Sequence, residues 1–110
     1  MATFDEREKG FEAKFKLDQE TQFKITARRN RLLGQWAAQK LGLAGPAAES
    51  YAKEVVASDF EKAGDQDVVD KVRRDLEAKG VALGLTTVRA ELDRCAATAR
   101  DQVMAERNKA

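Results

Sequence analysis

The sequence predicts an all-α protein, a small four-helix bundle preceded by a mobile, partly helical N-terminal arm. Three observations carry that prediction. Apolar residues recur at intervals of three and four through four segments, glycines and the single proline fall between those segments, and no run alternates apolar and polar residues with period two. At 110 residues, with 43% hydrophobic and 35% charged residues, the chain has the composition of one globular domain. A chain of this size can bury roughly 65% of the surface its unfolded form exposes, so a real core is within reach.

The first bundle helix brings Ile25, Leu32, Leu33, Trp36 and Ala37 near one face and ends at Leu41-Gly42, where glycine can take the left-handed conformation. Gly34 inside it suits the close approach of another helix. The second helix starts after Gly45, with Pro46 in the first turn, where its missing N–H costs nothing. Its stripe comprises Ala52, Val55, Val56, Phe60 and Ala63, ending before Gly64. Asp65 is suited to cap the third helix, in which Val69, Val72 and Leu76 repeat before Gly80 stops it. Thr86 or Thr87 is suited to cap the fourth, whose seam reads Val88, Leu92, Cys95, Ala96, Ala99 and Val103. Short connections favour antiparallel neighbours. Trp36 and Tyr51 read as core or core-edge anchors.

Composition also excludes function classes. The chain has no histidine and one cysteine, which removes the usual general base, the usual zinc ligand and any internal disulfide. No phosphate-cradling glycine loop and no nucleophile elbow is present, so no catalytic residue and no metal site is expected, and the protein reads as non-enzymatic. The net charge of +1 sets up no global field toward nucleic acid. The N-terminus has no basic region followed by an apolar run, and no stretch approaches the roughly 18 apolar residues of a membrane span. A cytoplasmic location is expected, with membrane association only through a protein partner. Cys95, lying in a helical seam, reads as a small buried hydrophobe rather than a redox group.

Residues 1–18 are the informative segment. Thr3 followed by Glu6 forms a capping box, giving the arm its own helix start. On a 3.6-residue period Phe4, Phe11 and Phe15 align with Glu8 in one stripe, while Asp5, Glu6, Lys9, Glu12 and Lys16 fall elsewhere. The pairs Asp5–Lys9 and Glu12–Lys16 each contribute about 0.2 to 0.5 kcal/mol, whereas Gly10 in mid-helix costs about 1 kcal/mol against alanine. These terms roughly cancel, and a segment this short is marginal in water, so the free arm is expected to be frayed. A helix unbroken from Thr3 to Leu41 would outrun what three short helices could cover. Two readings of the phenylalanines stand side by side: they cap the bundle core, or they enter a partner's groove as the arm orders on binding. A basic cluster follows the acidic arm, namely Lys24, Arg28, Arg29, Arg31 and Lys40, with Arg28-Arg29-Asn30-Arg31 as its densest part. Such a cluster either touches phosphate or pairs with acids of neighbouring helices or a partner.

The residues Phe4-Asp5, Arg7-Glu8, Phe11-Glu12, Lys14-Phe15 and Asp18, then Phe23-Lys24, Ala27-Arg28-Arg29-Asn30-Arg31-Leu32-Leu33-Gly34 and Trp36-Ala37-Ala38, closely resemble the ATPase inhibitor zeta subunits of alphaproteobacterial F-type ATP synthases. The likeness continues through Tyr51-Ala52-Lys53-Glu54-Val55-Val56, Asp59-Phe60 and Asp67-Val68-Val69, and beyond Gly80 only the helical pattern matches. The resemblance implies an inhibitory arm over residues 1–18 and a four-helix bundle domain over residues 19–110. It implies that the arm inserts as a helix at a catalytic interface of the soluble head, between the two large alternating subunit types and near the central stalk. There it would block rotation driven by ATP hydrolysis while yielding to rotation for synthesis. Carried over by position, Phe4, Asp5, Arg7, Glu8, Phe11, Lys14 and Phe15 are the expected contact set, with the three Phe as anchors and Arg7, Glu8 and Lys14 as charged pairing groups. No cofactor is required. The alternatives are a helical adaptor that senses adenine nucleotide through weak binding, or one that binds nucleic acid through residues 28–31.

Overall fold

The computed structural model describes residues 18–60 and 65–109. Four α-helices account for most of them: α1 (Gln19–Lys40), α2 (Gly45–Ala57), α3 (Gln66–Ala78) and α4 (Leu85–Lys109), with a single 3-10 turn at Ser58–Phe60 after α2. No strand occurs among the described residues.

Helix α1 starts at Asp18. The backbone of this residue is extended (φ −60°, ψ 162°), and its Oδ1 accepts a 2.7 Å hydrogen bond from the Thr21 N–H. A side-chain oxygen thereby satisfies one of the amides that every helix start leaves free. The helix thus begins at its own cap, with the chain outside helical geometry at Asp18. At the other end Leu41 is the C-cap and Gly42 takes φ +78°, with Gly42 N–H donating to the Gln39 carbonyl (3.1 Å) and Leu43 N–H to the Ala38 carbonyl (2.9 Å). Those two bonds are the paired closure that a left-handed glycine permits. Gly80 (φ +83°) closes α3 in the same way, through Gly80 to Glu77 (2.9 Å) and Val81 to Leu76 (2.8 Å).

The core lies where α1 meets α2 and α4, which are its most extensive neighbours. Asn30, Leu33, Gly34, Ala37, Ala38 and Leu41 form the buried stripe of α1, at the three-and-four spacing of one helix face. Leu32 and Trp36 sit beside that stripe, half-buried, so the inner face is rotated from the expected one toward the small residues. The small residues have a purpose. A Cβ built on Gly34 would stand 2.7 Å from Ala52 Cα and 3.2 Å from Val55 Cβ, so α2 rests directly on the backbone of α1. Val55 of α2, Val68, Val69, Val72 and Leu76 of α3, and Val88 and Leu92 of α4 complete the interior. Burying a Leu or Val side chain contributes about 1.5 to 3 kcal/mol, enough for this set to outweigh the polar rim energetically.

Three local expectations are corrected. Asp65 precedes α3, yet its backbone (φ −109°, ψ 1°) is not extended and its side chain makes no capping bond. The carboxylate faces Arg89 instead, at 3.4 Å. Helix α4 begins at Leu85, and the Gly84 carbonyl accepts from the N–H groups of Thr87 (3.1 Å) and Val88 (3.2 Å). Thr86 and Thr87 thus lie inside its first turn rather than capping it. The α-helical part of the second segment stops at Ala57, and Ala63 and Gly64 lie outside the described residues.

Candidate partner-binding site

The expected contact set, Phe4, Asp5, Arg7, Glu8, Phe11, Lys14 and Phe15, lies outside the described residues, as does the Thr3–Glu6 capping box. What the structure defines is the surface onto which that segment leads. Asp18 is fully exposed, and its carboxyl is held below the usual carboxylate range first by the side-chain hydrogen bond of Thr21 and then by the Thr21 backbone N–H. Both bonds favour the charged form.

Immediately beyond the cap, the first three turns of α1 and the end of α2 enclose an open groove of about 400 Å³. Gln19, Gln22, Phe23, Thr26 and Ala27 form one wall, Val56 the other, and Asn30 and Asp59 close the inner end. Phe23 is 61% exposed. A single exposed aromatic ring is ordinary on a protein surface, and here it stands in the wall of the groove.

The inner end is polar and partly buried. Asn30, 1% exposed, donates from Nδ2 to Asp59 Oδ2 (3.0 Å), and Arg29 Nε donates to Asn30 Oδ1 (2.9 Å) while its guanidinium lies 3.6 Å from the same Asp59 oxygen. Asp59 Oδ1 is buried with no hydrogen-bond partner among the described residues. These three side chains tie the middle of α1 to the turn after α2 across 29 residues of sequence.

The basic cluster is divided among three neighbours. Arg28 reaches α4, donating to Gln102 (2.9 Å) and pairing with Glu106 (2.9 Å), and this pairing holds the Glu106 carboxyl below its ordinary range. Arg29 belongs to the Asn30–Asp59 network, and Arg31 pairs with Glu49 of α2 at 2.7 Å. Lys24 pairs with Glu20 at 3.6 Å, and Lys40 lies over the Trp36 ring, 5.8 Å from its centre. Arg28, Arg29 and Arg31 thus serve as ties to neighbouring elements, the second of the two expected uses, whereas Lys24 and Lys40 are engaged within α1.

Two further groups are structural. Tyr51 OH donates to Asp75 Oδ2 (2.8 Å), joining α2 to α3, and Lys71 lies over the Tyr51 ring while pairing with Asp75 (3.1 Å) and Glu54 (3.4 Å). Burial, followed by the Asp75 hydrogen bond, raises the phenol well above its usual value. Cys95 is 4% exposed, and burial followed by the nearby Glu91 carboxylate pushes its thiol up to about 11. A thiol so protonated at neutral pH is a poor nucleophile. Among the described residues no cluster of His, Cys, Asp and Glu has the makings of a metal site, and no helix is long and apolar enough to cross a membrane.

The family model described as ATPase inhibitor subunit zeta matches residues 1–102. The chain belongs to this ATPase inhibitor zeta family. A solved structure, determined by solution NMR, is similar to it, with 47% sequence identity, coverage of 77% of this chain and 96% of that chain, and a TM-score of 0.69. A search of curated proteins finds no match. As a zeta-family chain, the protein is an ATPase inhibitor subunit whose described residues form a helical bundle with Phe23 and its groove beside the start of α1. The Asn30–Asp59 tie was not predicted, because it joins residues far apart in sequence. The signal available for the groove was the position of Phe23, which sits off the buried stripe of α1.

Proposed function

We propose that this zeta-family subunit inhibits ATP hydrolysis by an F-type ATP synthase through its N-terminal arm, residues 1–18, carried by the bundle of residues 19–110. The arm inserts as a helix at a catalytic interface of the soluble head, between the large alternating subunits and near the central stalk. Phe4, Phe11 and Phe15 are its apolar anchors, Arg7, Glu8 and Lys14 supply the charged pairing groups, and Asp5 completes the contact set. The observation that carries the reading is that the family match begins at residue 1 and so takes in the whole Phe stripe. Support comes also from the bundle, whose helices fill a continuous interior from their own side chains.

The physical logic is that of coupled folding and binding. An arm with balanced helix-forming and helix-breaking terms gains its order from the partner, so its affinity resides in a few buried anchors. A helix wedged between moving subunits opposes one sense of rotation more than the other, because only one sense closes the cleft upon it.

The test is to add the purified protein, and a version lacking residues 1–17, to a cognate ATP synthase head and to measure hydrolysis. Inhibition by the full chain and none by the shortened one is expected. Replacing any one of the three Phe by Ala should raise the concentration for half-inhibition about 30-fold, the effect of losing an anchor contributing about 2 kcal/mol. Equal hydrolysis with full and shortened chains would refute the reading.

A further inference from the structure

We infer that the groove beside Phe23 is a second contact with the head of the ATP synthase, taking an uncharged apolar side chain that stands on the rim of the cleft the arm enters. The inference rests on the proposed function for the identity of that partner, and it extends the interface from the arm onto the bundle.

Chain connectivity alone brings the groove to that rim. With Phe15 anchored in the cleft, Gln19, four residues on, lies within about 14 Å of it whatever form the chain between them takes. Gln19 and Gln22 already line the groove, and Phe23 stands four residues beyond Gln19, about 6 Å farther along the axis of α1. The first turns of α1 are therefore the part of the bundle that reaches the partner, and the groove is the recess they carry.

The lining selects the occupant. Phe23, Ala27 and Val56 give the walls apolar surface, while Gln19, Gln22 and Thr26 add neutral polar groups. The charges around it are engaged within the molecule: Lys24 with Glu20, Arg29 with Asp59, and Arg31 with Glu49. A charged side chain entering the groove would lose hydration where each opposite charge already has a partner, whereas an apolar one removes its own surface and part of the Phe23 ring from water. The recess is also preformed. Asn30 donates to Asp59 (3.0 Å) and Arg29 lies 3.6 Å from the same carboxylate, so α1 is fastened to the turn after α2 and the two walls keep their separation before any partner arrives. A site that needs no ordering loses less on binding, and a side chain seated there adds to the affinity of the arm because both belong to one chain.

Leu85, the other large apolar residue exposed among the described ones, supplies the control. Gln102 and Glu106 of α4 meet Arg28, and Leu85 stands seventeen residues before Gln102, about 26 Å away along that helix.

The test measures inhibition of hydrolysis by a cognate ATP synthase head, using full-length variants. Phe23→Glu should raise the concentration for half-inhibition about tenfold, and Val56→Thr, on the opposite wall and far from the arm in sequence, about threefold. Leu85→Glu should stay within about twofold of the parent chain. A second measurement reads the contact directly. With the photoreactive analogue benzoylphenylalanine in place of Phe23, irradiation of the full chain bound to the head should cross-link position 23 to a head subunit, and the same analogue in place of Leu85 should give no such product. An effect of Phe23→Glu no larger than that of Leu85→Glu overturns the inference, as do cross-links from position 23 that stay within this chain or join it to a second copy. Inhibition that depends on residues 1–17 but is indifferent to Phe23→Glu would sink this inference and leave the proposed function standing. Equal inhibition by full and shortened chains, with position 23 still cross-linked to the head, would sink the proposed function alone.

Discussion

The two halves of α1 are built to opposite specifications. From Leu33 to Leu41 the helix has no slack: Leu33, Ala37 and Ala38 are fully enclosed, and at Gly34 α2 touches its backbone. From Gln19 to Asn30 the same helix carries an exposed phenylalanine beside an open groove, and polar side chains tie it to α4 through Arg28 and to the turn after α2 through Asn30. One helix therefore serves as a beam at one end and as a surface at the other. Rigidity where the bundle closes leaves the opposite end free to carry apolar area that a core would have consumed.

That contrast can be broken or sharpened by substitution. The largest effect is expected at Gly34→Val, where the new Cβ meets Ala52 Cα and the helices must part. Overpacking of this kind costs about 3 kcal/mol, exceeding any gain from replacing glycine, and a urea unfolding curve should show it. An unchanged midpoint would mean that α1 and α2 separate without cost.

A smaller loss is expected for Asp18→Ala, which removes the cap and frays the first turn, seen as faster amide exchange at Gln19, Glu20 and Thr21. The pH dependence has a definite sign. The folded carboxyl titrates below its unfolded value of about 4, so the stabilisation is complete above that value and is lost as the pH falls through the lowered one. The difference between wild type and Asp18→Ala should accordingly vanish in strong acid, and a difference that grew on acidification would contradict the assignment.

The smallest effect on stability is expected at Phe23→Ala, within about 0.5 kcal/mol, because the ring is mostly in solvent. A loss near that of Gly34→Val would show that the open end of α1 is part of the core after all.

Much of the fold was legible in the sequence because it rests on local rules. Gly42 and Gly80 stop helices by adopting a backbone that other residues resist, Pro46 opens α2, and the α4 seam from Val88 to Val103 follows simple periodicity, with Ala96 half-buried at its edge. Gly34 was readable as a close approach, and Cys95 as a buried hydrophobe. Capping was read less well. Asp65 and the threonines of α4 have suitable side chains, but a backbone near ψ 0° and a helix start at Leu85, at least two residues earlier than such a cap would set it, leave those side chains out of capping positions. Val68, fully buried, was missed because it doubles the α3 stripe beside Val69. The arm stripe read from periodicity lies outside the described residues, and the groove was not legible, because it depends on Val56 and Asp59 lying across from Phe23, a tertiary fact without a local signature. The arginines of residues 28–31 looked like one patch because they are adjacent in sequence, yet a helix points them in different directions.

The placement of Asp18 has a mechanical consequence. A pull on the chain ahead of it is delivered along the axis of α1, the helix gripped by both α2 and α4. Such a load acts on that double grip in shear, straining many side-chain contacts at once instead of peeling them apart in turn. Any load that enters at Asp18 is thereby met first by the helix that both neighbours hold.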